Sequence, residues 1–298
     1  MSVPRTSDST SKTPLLPMIM TILVAVIWST GGAGVRLVDH LAPWDILFWR
    51  ALFMVIATFT WLAVDMARKH TGFRTLGSKL LHGLPVSLCF SASLILYIMS
   101  IKHTTVADSL LIQGTGPLFI ILFGRVLLKD PLGRSAKIAV TGIITGLLVI
   151  FLPALTTSRL QGNVYGIGKA VMFGASTLFI RKLKEVDLVP TIALTGVIVC
   201  TVSGFSAGTF ILPVRDLAVL GYLGMFQTGI AFMLYAIWSK QVPSTYTGII
   251  VTLEAVLGPL WAWLIIGEVP AVYTLIGGAI IIAALIFNSV TVTQPEGT

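Results

Sequence analysis

The sequence predicts an all-α polytopic membrane protein, with ten transmembrane helices arranged as two inverted five-helix repeats. Three observations predict it. Of the 298 residues, 55% are hydrophobic and only 11% charged, against roughly 25% charged in soluble domains. A window of about 19 residues finds ten apolar stretches, each long enough to cross a hydrocarbon layer of about 30 Å. Two blocks of the first half then recur, in order, in the second.

The spans run 17–38, 44–64, 82–101, 105–127 and 136–154, then 163–181, 189–212, 216–238, 244–266 and 271–291. The bilayer core offers no water to unpaired amides, so each is a helix or a protein-shielded broken helix. The first carries "WSTGGAGVR" (28–36). A phosphate-cradling loop would need a strand before it and a helix N-terminus after it. Here the stretch lies within an apolar span, where Ala25, Ser29 and Ala33, and Thr30 and Gly34, recur at a spacing of four and offer flat faces to a neighbouring helix. The second span opens at Pro43 and holds Arg50, expected near the outer surface, snorkelling or paired with Asp45 or Asp108. Cys89 in the third and Cys200 in the seventh read as small buried hydrophobes, not as a disulfide or a metal site. Gly142 and Gly146 in the fifth span, and Gly277 and Gly278 in the tenth, repeat the small-residue device of the first.

Residues 1–16, rich in Ser and Thr, are expected to be a disordered cytoplasmic N-terminus. Residues 17–160 form the first repeat, 161–291 the second, and 292–298 a cytoplasmic tail. The first span is too long for an ordinary signal peptide and lacks a clear cleavage site, so it is expected to be retained. Leaving aside Arg50 and Lys169, deep within spans, 14 of the other 18 Lys and Arg fall in or at the edge of segments that are internal if the N-terminus is cytoplasmic, and four (Arg36, Lys102, Arg159 and Arg215) at external ones. Both termini should therefore face the cytoplasm. The net charge of +8 is a topology signal spread over short loops; nucleic-acid binding would gather it on one folded surface.

"AVIWSTGGAGVR" from Ala25 lies without gaps on "AVMFGASTLFIR" from Ala170, so that Trp28 meets Phe173 and Arg36 meets Arg181. A second alignment, at an offset of 138, lays "GPLFIILFGRVLLKD" (116–130) on "EAVLGPLWAWLIIGE" (254–268) and ends acid on acid at Asp130 and Glu268. Two matches in the same order indicate a five-span duplication. Five is odd, so the second copy enters the membrane from the opposite side. Inverted repeats recur in secondary transporters, where exchanging the conformations of the halves turns an outward-open cavity inward.

Polar groups inside spans cost about 2.5–3.5 kcal/mol at mid-helix, which makes them candidates for the site. Glu254, near the middle of the ninth span, is placed to hold a substrate ammonium or exchange a proton, or else to pair with Lys169 and fix helix register. Gln113 and Gln227 are suited to a carboxylate or amine without the desolvation cost of a full charge, and equally to interhelical hydrogen bonds. Trp28, Tyr97, Tyr235, Trp238, Tyr246, Trp261 and Trp263 are candidates to stack on an aromatic substrate, whereas Trp44, Trp61 and Tyr273 read as interfacial belt residues. Gly116 with Pro117 and Gly258 with Pro259 are expected hinges in the fourth and ninth spans, because each proline removes a backbone hydrogen bond. No cofactor or metal site is read. The spans contain no HExxH, no facing pair of aspartates and no buried Ser with a His, and His40, His70, His82 and His103 fall at loops or span ends. These absences argue against an intramembrane enzyme.

These marks carry a resemblance: Trp28 to Arg36 ending the early span, Pro43 with Arg50, Pro117 followed thirteen residues later by Asp130, and "TLEAVLGPLWAWLIIGE" (252–268). From Pro17 to Val290 the chain resembles the ten-helix drug/metabolite transporter superfamily in its duplicated EamA-type branch. Within it, the chain is most similar to bacterial exporters of aromatic amino acids. It departs from the pattern in Ala255, where a proline often follows the glutamate, and in "KD" where "GE" is typical. The resemblance implies an inner-membrane exporter of small amphipathic metabolites, aromatic amino acids first. Export of cationic drugs or other metabolites is the alternative, and a non-transporting scaffold the alternative of another class. The partners implied are a small-molecule substrate and the lipid bilayer. Small-residue faces serve contacts within one protomer as readily as between protomers, and a monomer is the working expectation.

Overall fold

The computed structural model describes residues 15–69, 73–129, 133–155, 157–183, 186–238, 241–242 and 244–291. Among the described residues the regular structure is helical throughout. The first five helical segments are α1 (Leu15–Leu37), α2 (Pro43–Lys69), α3 (Phe73–His103), α4 (Val106–Leu128) and α5 (Arg134–Ala154). The second five are α6 (Leu160–Leu183), α7 (Leu188–Gly204), α8 (Val214–Trp238), α9 (Ser244–Ile266) and α10 (Val272–Thr291). Helices α1 to α5 and α8 are long and apolar enough to cross a membrane. Their starts are set by local chemistry: Thr105 caps α4 by accepting from Asp108 N at 3.0 Å, and Asp187 caps α7 by accepting from Val189 N at 3.3 Å.

The pairing of helices maps onto itself when the first five are exchanged with the second five. α3 packs on α6 and α8 on α1; α3 packs on α7 and α8 on α2; α1 packs on α9 and α6 on α4. α2 with α7, α4 with α9 and α5 with α10 pair across the two halves. The fold is thus two inverted five-helix repeats. Backbone geometry repeats too: among the described residues only Lys129 (φ 61°) and Gly267 (φ 76°) have positive φ, and the offset of 138 lays one on the other. Each leaves the fourth helix of its repeat through a left-handed residue, which glycine adopts freely and lysine at a cost.

Three helices are interrupted beside a threonine whose hydroxyl takes a carbonyl of the preceding turn, and α4 widens again to a π-helix at Gly124–Leu128. In α1 the break is at Thr30, whose Oγ1 donates to Ile27 O at 2.7 Å. In α4 it is at Gly114 and Thr115, with Thr115 Oγ1 donating to Ile112 O at 2.6 Å. In α8 the segment Tyr222–Ile230 widens to a π-helix, and Thr228 Oγ1 donates to Leu223 O at 2.7 Å. Such wide turns occur often at functional sites. The small-residue stripes of α5 and α10 meet: a Cβ on Gly146 would lie 2.6 Å from Gly277 O, and one on Gly142 2.9 Å from Ala284 Cβ.

Three expectations are corrected. Helix α1 begins at Leu15, inside the segment expected to be disordered, because Leu15 and Leu16 continue the apolar run; residues 1–14 and 292–298 lie outside the described residues. The span 189–212 overruns, since α7 stops at Gly204. There Asp45 Oδ1 accepts from Gly208 N and Thr209 N at 2.8 and 3.0 Å and Trp49 Nε1 donates to Thr209 O, folding the chain over the end of α2. Cys89 and Cys200 are unpaired, as read, but only half-buried.

Candidate functional site

The interruptions of α1, α4 and α8 surround one polar chain, buried at Arg50, Tyr97, Gln113 and Gln227 and half-buried at Lys169 and Glu254. Glu254 Oε1 on α9 accepts from Gln113 Nε2 on α4 at 3.0 Å, and Gln113 Oε1 accepts from Lys169 Nζ on α6. Lys169 Nζ lies 5.2 Å from the centroid of the Tyr97 ring, and the Arg50 guanidinium lies 5.3 Å from the same centroid. Arg50 Nη2 then donates to Gln227 Oε1 at 2.9 Å, and Gln227 Nε2 donates to Trp28 O at 3.2 Å. Arg50, Tyr97 and Gln227 are 5%, 4% and 4% exposed. Desolvated cation–π contacts of this kind contribute about 2 kcal/mol.

Beside the chain stands an aromatic wall. The Trp28 ring lies 4.6 Å from Phe232 and 5.0 Å from Tyr235, and Phe90 meets Phe232 edge-on at 4.9 Å. Phe173 continues it, 6.2 Å from Phe90. Gly31 is what allows the chain to close against α1. A Cβ there would lie 2.5 Å from Gln227 Nε2 and 2.8 Å from Tyr97 Oη, so only glycine leaves room for both.

Of the residues singled out in the sequence, Trp28, Tyr97, Gln113, Gln227 and Glu254 belong to this one chain, and Tyr235 joins it through Trp28. Glu254 meets Lys169 through Gln113. Arg50 is a correction: it is buried beside Gln227, and its expected partners are engaged elsewhere. Asp45 holds the amides of residues 208 and 209, and Asp108 accepts from Thr274 Oγ1 at 2.6 Å. The cause is the depth of α2, whose π-helical neighbour brings Gln227 to Arg50; a Cβ on Gly224 would collide with Arg50 O. Trp263 is 53% exposed, and Trp261 Nε1 donates to Ser29 Oγ, next in the chain to Trp28, at 2.9 Å; the Tyr246 side chain lies outside the described residues. Phe90, Phe173 and Phe232 were missed, because one phenylalanine among many in apolar helices carries no signal. Gly116 and Pro117 open the second segment of α4, just past its interruption. Gly258 and Pro259 lie in the unbroken α9, where Gly258 packs directly on Leu110 Cδ1.

The two ends of the bundle differ. At one, Arg36 donates to Glu268 Oε2 at 3.2 Å and to Thr104 O at 2.6 Å, and Glu268 Oε1 accepts from Val106 N at 2.5 Å. Lys102 Nζ donates to Asp39 Oδ1 at 2.9 Å, and Arg36 lies 3.4 Å from the same atom. Partial burial pushes the Asp39 carboxyl up, but Lys102 and Arg36 outweigh it and hold it below the usual range. At the other end a cleft of about 300 Å³ opens between α2, α3, α7 and α8, beside the Lys79–Asp187 ion pair. It is lined by Ala236 and Ile237, next in the chain to Tyr235.

A family model described as the EamA-like transporter family matches the chain twice, over residues 15–152 and 160–290. The pseudopaline exporter of Pseudomonas aeruginosa is 26% identical over 205 residues, covering 66% of this chain and 71% of that protein. Human solute carrier family 35 member G1 is 24% identical over 91% of this chain and 78% of its own. A riboflavin transporter of Rhizobium johnstonii is 27% identical over 58% of each. A solved crystal structure, 17% identical, superposes with a TM-score of 0.65 over 95% of this chain and 99% of that one, a likeness of fold alone.

Proposed function

Because the chain belongs to the EamA-like transporter family, a family of multi-pass membrane transporters, we propose that it exports small amphipathic metabolites, aromatic amino acids first, across the bacterial inner membrane. The repeats, divided near residue 160, carry the site between them and work by alternating access. The observation that carries the reading is the polar chain from Glu254 through Gln113, Lys169, Tyr97 and Arg50 to Gln227, standing against the Trp28–Phe232–Tyr235 wall. Charges of both signs and neutral amides suit a zwitterion, and the wall suits a flat ring. Trp28, Tyr97, Gln113, Gln227, Tyr235 and Glu254 are its binding residues. Gly116 with Pro117 and Gly258 with Pro259 are the points about which α4 and α9 bend.

With the N-terminus and tail cytoplasmic, the Arg36–Glu268 cluster closes the outer end and the cleft beside Lys79 opens inward. Substrate enters from the cytoplasm and leaves when the outer cluster parts. The test is uptake of labelled phenylalanine into proteoliposomes, competed by other amino acids and an organic cation, with and without a pH gradient. Saturable flux that the cation leaves unchanged supports the reading. No flux above empty vesicles from folded protein would overturn it. Glu254→Gln then separates roles: loss for every substrate assigns coupling to Glu254, and loss for amine-bearing substrates alone assigns recognition.

A further inference from the structure

Resting on the transport reading above, we propose that the site selects for a carboxylate, which docks on Arg50, Tyr97 and Trp28, and rejects amide and decarboxylated analogues of the same molecule. Three polar atoms point to it. Arg50 Nε, Tyr97 Oη and Trp28 Nε1 find no hydrogen-bond partner among the described residues, although their residues are only 5%, 4% and 7% exposed. Each such group has given up its water partners without replacement, and native proteins keep few of them.

Arg50 and Tyr97 meet around one side chain, and Trp28 joins it through its backbone oxygen while its ring stands in the aromatic wall. Gln227 accepts from Arg50 Nη2, donates to the backbone oxygen of Trp28, and sits with Tyr97 Oη against Gly31. Arg50 Nε and Trp28 Nε1 donate only, and Tyr97 Oη is free to donate, so the complement of the set is an acceptor. Charge agrees with hydrogen bonding. The chain holds two basic residues, Arg50 and Lys169, and one acidic residue, Glu254, a formal surplus of one positive charge. Glu254 is engaged through Gln113 on the Lys169 side, whereas Arg50 donates to the neutral Gln227. A guanidinium with an unused Nε edge matches the planar fork of a carboxylate. The Glu254 end is left for an ammonium, so that an α-amino acid meets both poles.

The experiment reads binding directly, by the thermal midpoint of the purified full-length protein against phenylalanine, 3-phenylpropionate, phenylalaninamide, phenethylamine and leucine. Phenylalanine and 3-phenylpropionate should bind at least about tenfold tighter than the amide and the amine, the loss expected of one charge-assisted hydrogen bond. Tyr97→Phe and Trp28→Phe each keep a ring and remove an unpaired polar atom. Both should fold with unchanged or higher midpoints while weakening phenylalanine binding about tenfold or more, a combination that a purely structural role does not produce. Arg50→Gln should abolish carboxylate binding, and if it does not fold the Tyr97→Phe result decides. Equal binding of the amide, unchanged affinity in both aromatic variants, or no binding of any carboxylate would overturn the inference and leave the transport reading standing. Leucine bound as tightly as phenylalanine would instead remove the aromatic preference and support the carboxylate pole. Carboxylate binding without flux would remove transport alone.

Discussion

Gly31→Ala is the smallest change that should separate the site from the scaffold around it. The added methyl would lie 2.5 Å from Gln227 Nε2 and 2.8 Å from Tyr97 Oη, whereas ordinary contact begins near 3.4 Å. Gln227 would have to retreat by about 0.9 Å and Tyr97 by about 0.6 Å. The Gln227–Trp28 bond already spans 3.2 Å, so a retreat of that size breaks it, and it strains the 2.9 Å bond from Arg50. A hydrogen bond to a charged group contributes about 1.5–3 kcal/mol. The expected result is normal membrane insertion, a stability loss of about 2 kcal/mol, and phenylalanine flux lower by at least about tenfold. The control is Gly77→Ala in α3, where an added methyl meets nothing within 4 Å and should stabilise the helix by about 0.5–1 kcal/mol. Stability comes from denaturation of the purified protein and flux from proteoliposomes. If Gly31→Ala matched Gly77→Ala in both, the closure of Gln227 and Tyr97 on α1 would not govern the site.

Gly146→Ala places a methyl 2.6 Å from Gly277 O, and because backbone cannot step aside the variant should lose about 1–3 kcal/mol; an unchanged denaturation midpoint would refute the α5–α10 contact. Lys129→Gly relieves a left-handed lysine (φ 61°) and should gain about 1 kcal/mol, with no gain refuting the strain. Gly116→Ala and Gly258→Ala should slow transport without preventing insertion, and Leu110→Ala should partly rescue Gly258→Ala by removing the atom it strikes; unchanged rates would remove the hinges. The folded-state pKa of Asp39 is lowered from 3.8, so its contribution is present above that value and is lost as pH falls below it. Stability measured from pH 6 to pH 3 should fall less steeply in Asp39→Asn than in the parent, and parallel curves would refute the Arg36–Asp39–Lys102 cluster.

Much of this architecture was legible from apolar run lengths, because in a bilayer the length of a span and the satisfaction of its amides leave few alternatives. The duplication was legible because an insertion-free block keeps its register; the paired left-handed residues Lys129 and Gly267 bear out the same offset. Five members of the polar chain were legible because Glu254, Gln113, Gln227, Tyr97 and Trp28 are costly or unusual in apolar helices. Arg50 was misplaced because depth along a helix was read without the neighbour: Gln227 reaches it only through the π-helix of α8, and that widening depends on how Gly224 and Gly229 seat against α2. The stop of α7 at Gly204 was likewise hidden, since the apolar run continues to Leu212 and the group that holds the chain beyond the helix, Asp45, which accepts from the amide of Gly208, lies 163 residues earlier.

The most direct test of the central claim is trans-stimulation: uptake of labelled phenylalanine into proteoliposomes preloaded with unlabelled phenylalanine, against empty ones. Alternating access about the chain from Glu254 to Gln227 predicts faster uptake into the preloaded vesicles, with the acceleration lost in Glu254→Gln or Gly31→Ala. Equal uptake into preloaded and empty vesicles by the parent protein would contradict it.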